Sequence, residues 1–180
     1  MDEITLSERI LDQQSSYERA PYLTTHRALA ACTRELERLG NELLAGVESL
    51  TTTLEAPPAV VRRPPGRCLI QLGPVALTVV WLRSTLDSVA TGELMINVWH
   101  GAVSPRLHHR SERPGQERAP EPASLLWERV FRPIAVDEQS WGWVPDAADE
   151  MPMPSVALAR ICADRLGRAY TDHLNPPEHR

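Results

Sequence analysis

Residues 68–103 read CLIQLGPVALTVVWLRSTLDSVATGELMINVWHGAV, and the alternation within them decides the fold. Large apolar side chains occupy every second position through Val75, Leu77, Val79 and Trp81, and again through Leu94, Ile96 and Val98. A period of two returns side chains to one face of a sheet, so the pattern predicts strands. Gly73-Pro74 and the Asp87 to Gly92 region are turn signals, dividing the stretch into strands near Cys68 to Leu72, Val75 to Arg83 and Glu93 to Val103. Connections this short cannot carry a parallel crossover, so the order is antiparallel. The second strand also has Ala76, Val80 and Leu82 on its other face, and the third has Met95, Trp99 and Val103. Both strands therefore offer apolar residues to two sides.

Upstream, Thr5 followed by Glu8 fits a capping box for a short helix over about 5–18. Thr24 or Thr25 opens a longer helix running toward Glu55 and closed by Pro57-Pro58. Leu29, Leu36, Leu43 and Leu50 recur every seventh residue within it, which invites a zipper reading. Gly46 and Thr53 are weak at the second seam, however, and Leu44, Val47 and Leu54 widen the stripe to one that covers a sheet. Val61 to Arg67 reads as a basic, proline-rich connector.

Downstream, 104–123 is a long polar loop, and Leu125 to Val136 reads as a fourth strand bent at Pro133 in preference to a helical turn followed by a strand. Trp141-Gly142-Trp143 makes a short fifth strand or a turn. A final helix occupies about 154–174, with a stripe of Leu158, Ile161, Cys162, Leu166, Ala169 and Tyr170. The chain thus predicts one domain over 1–180: a helical part at 5–55, a sheet at 68–144 and a C-terminal helix. Helix, helix, three to five antiparallel strands and helix make a two-layer α+β fold with helices on one sheet face.

Composition narrows the chemistry. All 19 basic residues are arginine, which removes Schiff-base, pyridoxal and P-loop chemistry that needs a lysine. The bias resembles that of a GC-rich bacterial genome. A net charge of −5 argues against general nucleic-acid binding. Cys32, Cys68 and Cys162 form no C-x-x-C pair and read as small buried hydrophobes in a reducing, cytoplasmic setting. The longest uncharged run, Cys68 to Leu82, is 15 residues, short of the ~20 that span a bilayer. No membrane association is expected.

Candidate sites follow from residue type. Trp141, Trp143, Trp127 and Trp99 are the candidate partner-binding residues, since tryptophan brings large area at low entropic cost; the plainer reading has some of them roofing the core. Arg106, Arg110 and Arg113 in the long loop are a candidate anion-binding patch, or simply solvated cations. His100, Asn97 and Arg83 are the polar strand residues that an internal pocket would use. His108-His109 with His100 lack the spacing of a zinc site, and Asp137-Glu138 is an ordinary surface pair. No metal or cofactor is expected.

Apolar residues on both sheet faces lead to one functional expectation: a non-catalytic protein-binding or scaffold domain, acting through an exposed sheet face and the Trp141/Trp143 segment on a protein partner or on a copy of itself. The alternative is a small-molecule pocket, with or without catalysis, enclosed between a curved sheet and its helices.

Overall fold

The computed structural model describes residues 25–83, 89, 91–101, 103, 123–136, 141–146 and 151–175. The expected helix over 5–18 and the loop over 104–122 lie outside them. Among the described residues, α1 (His26–Thr53) leads into six strands: β1 (Val60–Arg62), β2 (Arg67–Leu72), β3 (Val75–Arg83), β4 (Gly92–His100), β5 (Ser124–Ala135) and β6 (Trp141–Pro145). The helix α2 (Ser155–Leu174) follows. Each strand pairs antiparallel with the next, giving a meander in the order β1 to β6. The α+β class is as expected, with six strands where three to five were read. The added strand is β1, which overlaps the start of the stretch read as a connector; Val60 to Arg62 pair with Gln71 to Leu69.

Local chemistry accounts for the boundaries. Thr25 caps α1, its Oγ1 accepting from the Ala28 N–H at 3.2 Å. At the far end Glu55 takes a positive φ of 50°, and Pro57-Pro58 end the helix. Gly73, with φ of 53°, forms the two-residue β2–β3 turn with Pro74. Strand β4 stops at His100, short of the expected Val103, because Gly101 turns the chain at φ of 100° and donates its N–H to the Pro74 carbonyl at 2.7 Å. Pro133 is tolerated inside β5 because β4 pairing has ended at Phe131; its partner on the other side is Trp143 of β6.

Both helices lie on one face of the sheet. Ile70, Leu77, Leu94 and Ile96 are fully buried there against Leu39 and Leu43 of α1 and Leu158 and Leu166 of α2. The helices run parallel: Gly46 meets Ala163, and one turn later Leu50 meets Gly167. A Cβ at Gly167 would stand 2.7 Å from a Leu50 methyl, so glycine sets how closely they approach. The leucines at sevens therefore serve this core, as the broad stripe implied. Ile161, read as part of the α2 stripe, is instead 37% exposed. Ser155 ties the layers together, its Oγ accepting from Trp143 Nε1 at 2.7 Å and donating to the Glu35 carbonyl at 3.4 Å.

Candidate functional site

Strand register sorts the second face into rows. Val80, Met95 and Val130 are cross-strand neighbours on β3, β4 and β5. The next row is polar: Thr78, Asn97 and Glu128. Beyond it stand Ala76, Trp99 and Leu125. Neither α1 nor α2 packs on this side, and Leu125 and Leu82 remain 47% and 40% exposed. The polar row is internally satisfied: Trp99 Nε1 donates to Thr78 Oγ1 at 2.9 Å, and the Asn97 amide nitrogen donates to Glu128 Oε2 at 3.2 Å. At one flank Gln71 fixes the turn, its Nε2 donating to the Val75 carbonyl at 3.0 Å.

The four tryptophans separate. Trp143 is 1% exposed and Trp141 5%; they pack inside the helix-side core, with Trp143 edge-on to Trp81 at 6.0 Å. This corrects the expectation of a Trp141/Trp143 recognition segment, because alternation in β6 turns both side chains toward the helices. Trp127 also faces the helices, half-buried, with the Arg165 guanidinium 5.6 Å from its ring centre. Trp99 alone among the four stands on the face that neither α1 nor α2 covers.

A β-bulge explains why Trp127 and Leu125 diverge. Val98 pairs with Trp127 and Trp99 with Leu125, so Leu126 is the extra residue and the phase of β5 changes there. Strict alternation would have put Leu125 and Trp127 on one face. Leu125 and Val130 are the surface residues that sequence reasoning missed; Val80, Met95 and Trp99 were visible in the strand pattern.

His100, Asn97 and Arg83 do not converge. His100 points to the helix side at one end of β4, where its Nε2 lies 3.0 Å from His173 Nδ1 of α2. Arg83 ends β3 beside α1, lining a different depression. Asn97 is on the opposite face. A pocket built on these three is therefore corrected: strand ends and opposite parities keep them apart. Arg106, Arg110 and Arg113, together with His108-His109 and Asp137-Glu138, lie outside the described residues. Among the described residues no three His, Cys, Asp or Glu side chains come together as a metal site. No helix among them is long and apolar enough to cross a membrane.

On the helix side a cavity of about 600 Å³ opens between the first half of α1, the β1–β2 connection and the β3 end. Cys32 and Cys68 are in its wall. Burial pushes the Cys32 thiol up to about 12, with Arg83 drawing it down and Glu35 adding to the rise, and burial likewise raises Cys68. Burial thus disfavours the nucleophilic thiolate form of both. A comparison with known protein families, characterised proteins and solved structures finds no match to this chain.

Proposed function

We propose that this chain is a non-catalytic protein-binding domain whose sheet face opposite α1 and α2 docks against a second copy of itself. The observation that carries the reading is the placement of both helices on one side, while Val80, Met95, Val130, Trp99 and Leu125 remain at least partly exposed on the other. Mixed apolar and polar rows around one tryptophan suit a recognition surface, where an aromatic anchor sits among satisfied polar groups.

Three further features favour a like partner over strand addition. The six strands, with β3 and β4 nine residues long, give a face on the order of 700 Å², near the ~800 Å² per partner of a standard interface. The sheet edges are poorly suited to pairing: β1 is three residues between prolines, and the β6 edge is bridged by Met153. The face also carries Arg62 and Arg67 on one flank and Glu93 and Glu128 on the other, which a twofold axis can set opposite each other.

Sedimentation or light scattering from about 1 to about 100 µM tests this, since interfaces of this area bind in the micromolar range or tighter. A dimer is expected, with Trp99→Asp and Val80→Arg giving monomers of unchanged far-UV spectrum and Ile161→Asp on the α2 surface leaving the dimer intact. A monomer throughout the range, or a dimer indifferent to both face variants, overturns the reading.

A further inference from the structure

We propose that His100 and His173 form a two-imidazole clasp for a late first-row divalent metal ion, Cu²⁺ foremost, joining the end of β4 to the last turn of α2. The clasp lies on the helix side of the sheet and is independent of the docking face.

Strand and helix bring the two rings together by different means. His100 shares the parity of Val98 and Ile96, so it leaves β4 toward the helices, and Gly101 turns the chain immediately after it. His173 follows Tyr170 by three residues on α2, hence on the same helical face. Tyr170 is buried, and its ring packs against Gly73 in the β2–β3 turn, where a Cβ would stand 3.3 Å from it. Val75, just after that turn, pairs with His100. The tyrosine contact therefore seats the end of α2 over the sheet beside His100.

The geometry of the pair fits chelation. His100 Nε2 lies 3.0 Å from His173 Nδ1. Two nitrogens ~2.0–2.1 Å from one ion stand ~2.9 Å apart at a right angle and ~3.3 Å apart at the tetrahedral angle. The ring centroids, 5.0 Å apart, also fall within the roughly 4.5–5.2 Å that two imidazoles on one ion subtend over those angles. Between neutral rings one hydrogen bridges the two nitrogens. The ion takes its place, and that hydrogen moves to the far nitrogen of its own ring, so no net proton is released. Both rings reach solvent, where water can satisfy them equally well, so the hydrogen bond itself contributes little stability.

The surroundings select the metal. Among the described residues no third His, Cys, Asp or Glu joins the pair, so water fills the remaining positions. A closed structural zinc site needs four protein ligands, whereas Cu²⁺ accepts nitrogen and oxygen donors in a square-planar or tetragonal arrangement and binds tightest in the first-row series. The charged groups bordering the rings are Arg165, Arg168 and Asp172 of α2, with the Arg165 guanidinium 5.6 Å from the Trp127 ring centre. Two arginines against one carboxylate disfavour Ca²⁺ and Mg²⁺, which depend on oxygen ligands and negative charge, more than an ion held chiefly by imidazole nitrogen.

Calorimetric titration of the full chain with copper(II) chloride from about 1 to about 100 µM, in a buffer that does not chelate copper, tests the clasp. One Cu²⁺ per chain is expected, with two nitrogen couplings in the electron paramagnetic resonance spectrum, a raised melting temperature reversed by EDTA, and no binding of Ca²⁺. His173→Gln, at an exposed position, and His100→Gln should each weaken binding at least about tenfold and remove one nitrogen coupling, since loss of even an outer-shell partner costs ~10–100-fold. His108→Ala/His109→Ala should leave binding unchanged. No Cu²⁺ binding, binding that survives both glutamine variants, or binding lost in His108→Ala/His109→Ala overturns the proposal.

Discussion

On the helix side of the sheet, Leu77 on β3 and Ile96 on β4 stand opposite the helices with no exposed surface. Behind them on the same strands, Val80 and Met95 are partly exposed. Both pairs obey the same period of two and are comparably apolar. What separates them is where the chain spends its helices. Two helices parallel to each other, brought close by Gly46 and Gly167, roof a strip of one face and leave no helix among the described residues for the other. Alternation in a strand therefore reports that a side chain belongs to a face, and says nothing of what covers that face.

The largest expected effect sets the two faces against each other directly. Leu77→Ala opens a cavity in a close-packed core and should lower stability by about 2–5 kcal/mol. Val80→Ala, on the partly exposed face, should cost the monomer under about 1 kcal/mol, because part of its surface was never removed from water. Denaturant titration at a concentration favouring monomer measures both. Equal losses would mean that the second face is as thoroughly covered as the first.

Ser155→Ala comes next, at about 1–3 kcal/mol, the cost of leaving a buried donor unpaired. The hydroxyl it removes accepts from Trp143 Nε1 deep between the layers. Thr78→Ala makes the matching cut on the other face, taking the acceptor from Trp99 Nε1. Trp99 is partly exposed and water can replace that partner, so the loss should be well under ~1 kcal/mol. Similar losses for the two variants would erase the contrast between a dry face and a wet one.

A smaller, pH-dependent effect probes the helix side alone. Cys162 has no exposed surface, and burial pushes its thiol up to about 12 from an ordinary 9.0. The unfolded chain releases this proton above pH about 9 while the folded chain retains it, so the unfolded state is favoured progressively between about 9 and 12. Stability should be insensitive to this thiol below pH 9 and then fall by on the order of 1 kcal/mol per pH unit. Cys162→Ala should make that limb shallower without abolishing it, because the raised Cys32 and Cys68 thiols act in the same direction. A thiol that reacts with an aromatic disulfide in the native protein at neutral pH would show the helix side to be open.

Most of the architecture was legible because strong local signals carried it. The Thr25 cap, the Gly73-Pro74 turn and the Pro154-Ser155 start of α2 each depend on a few adjacent residues. The strand β1 was not legible: three residues among prolines and arginines have no period to detect, and only pairing with β2 makes them a strand. The candidate site was half visible. Val80, Met95 and Trp99 followed from alternation, whereas Leu125 was hidden by the bulge at Leu126, which shifts the phase of β5 without leaving a compositional mark.

The sequence by itself determined the antiparallel sheet, the flanking helices and the absence of lysine chemistry, because periodicity, caps and composition are local properties. Tertiary structure alone decided that Trp141 and Trp143 roof the core while Trp99 faces outward. It also separated His100, Asn97 and Arg83, and set His100 beside His173 of α2. The physical reason is that strand parity, bulges and helix placement are settled by pairing and packing between residues far apart in the chain, and no window along the sequence contains both partners.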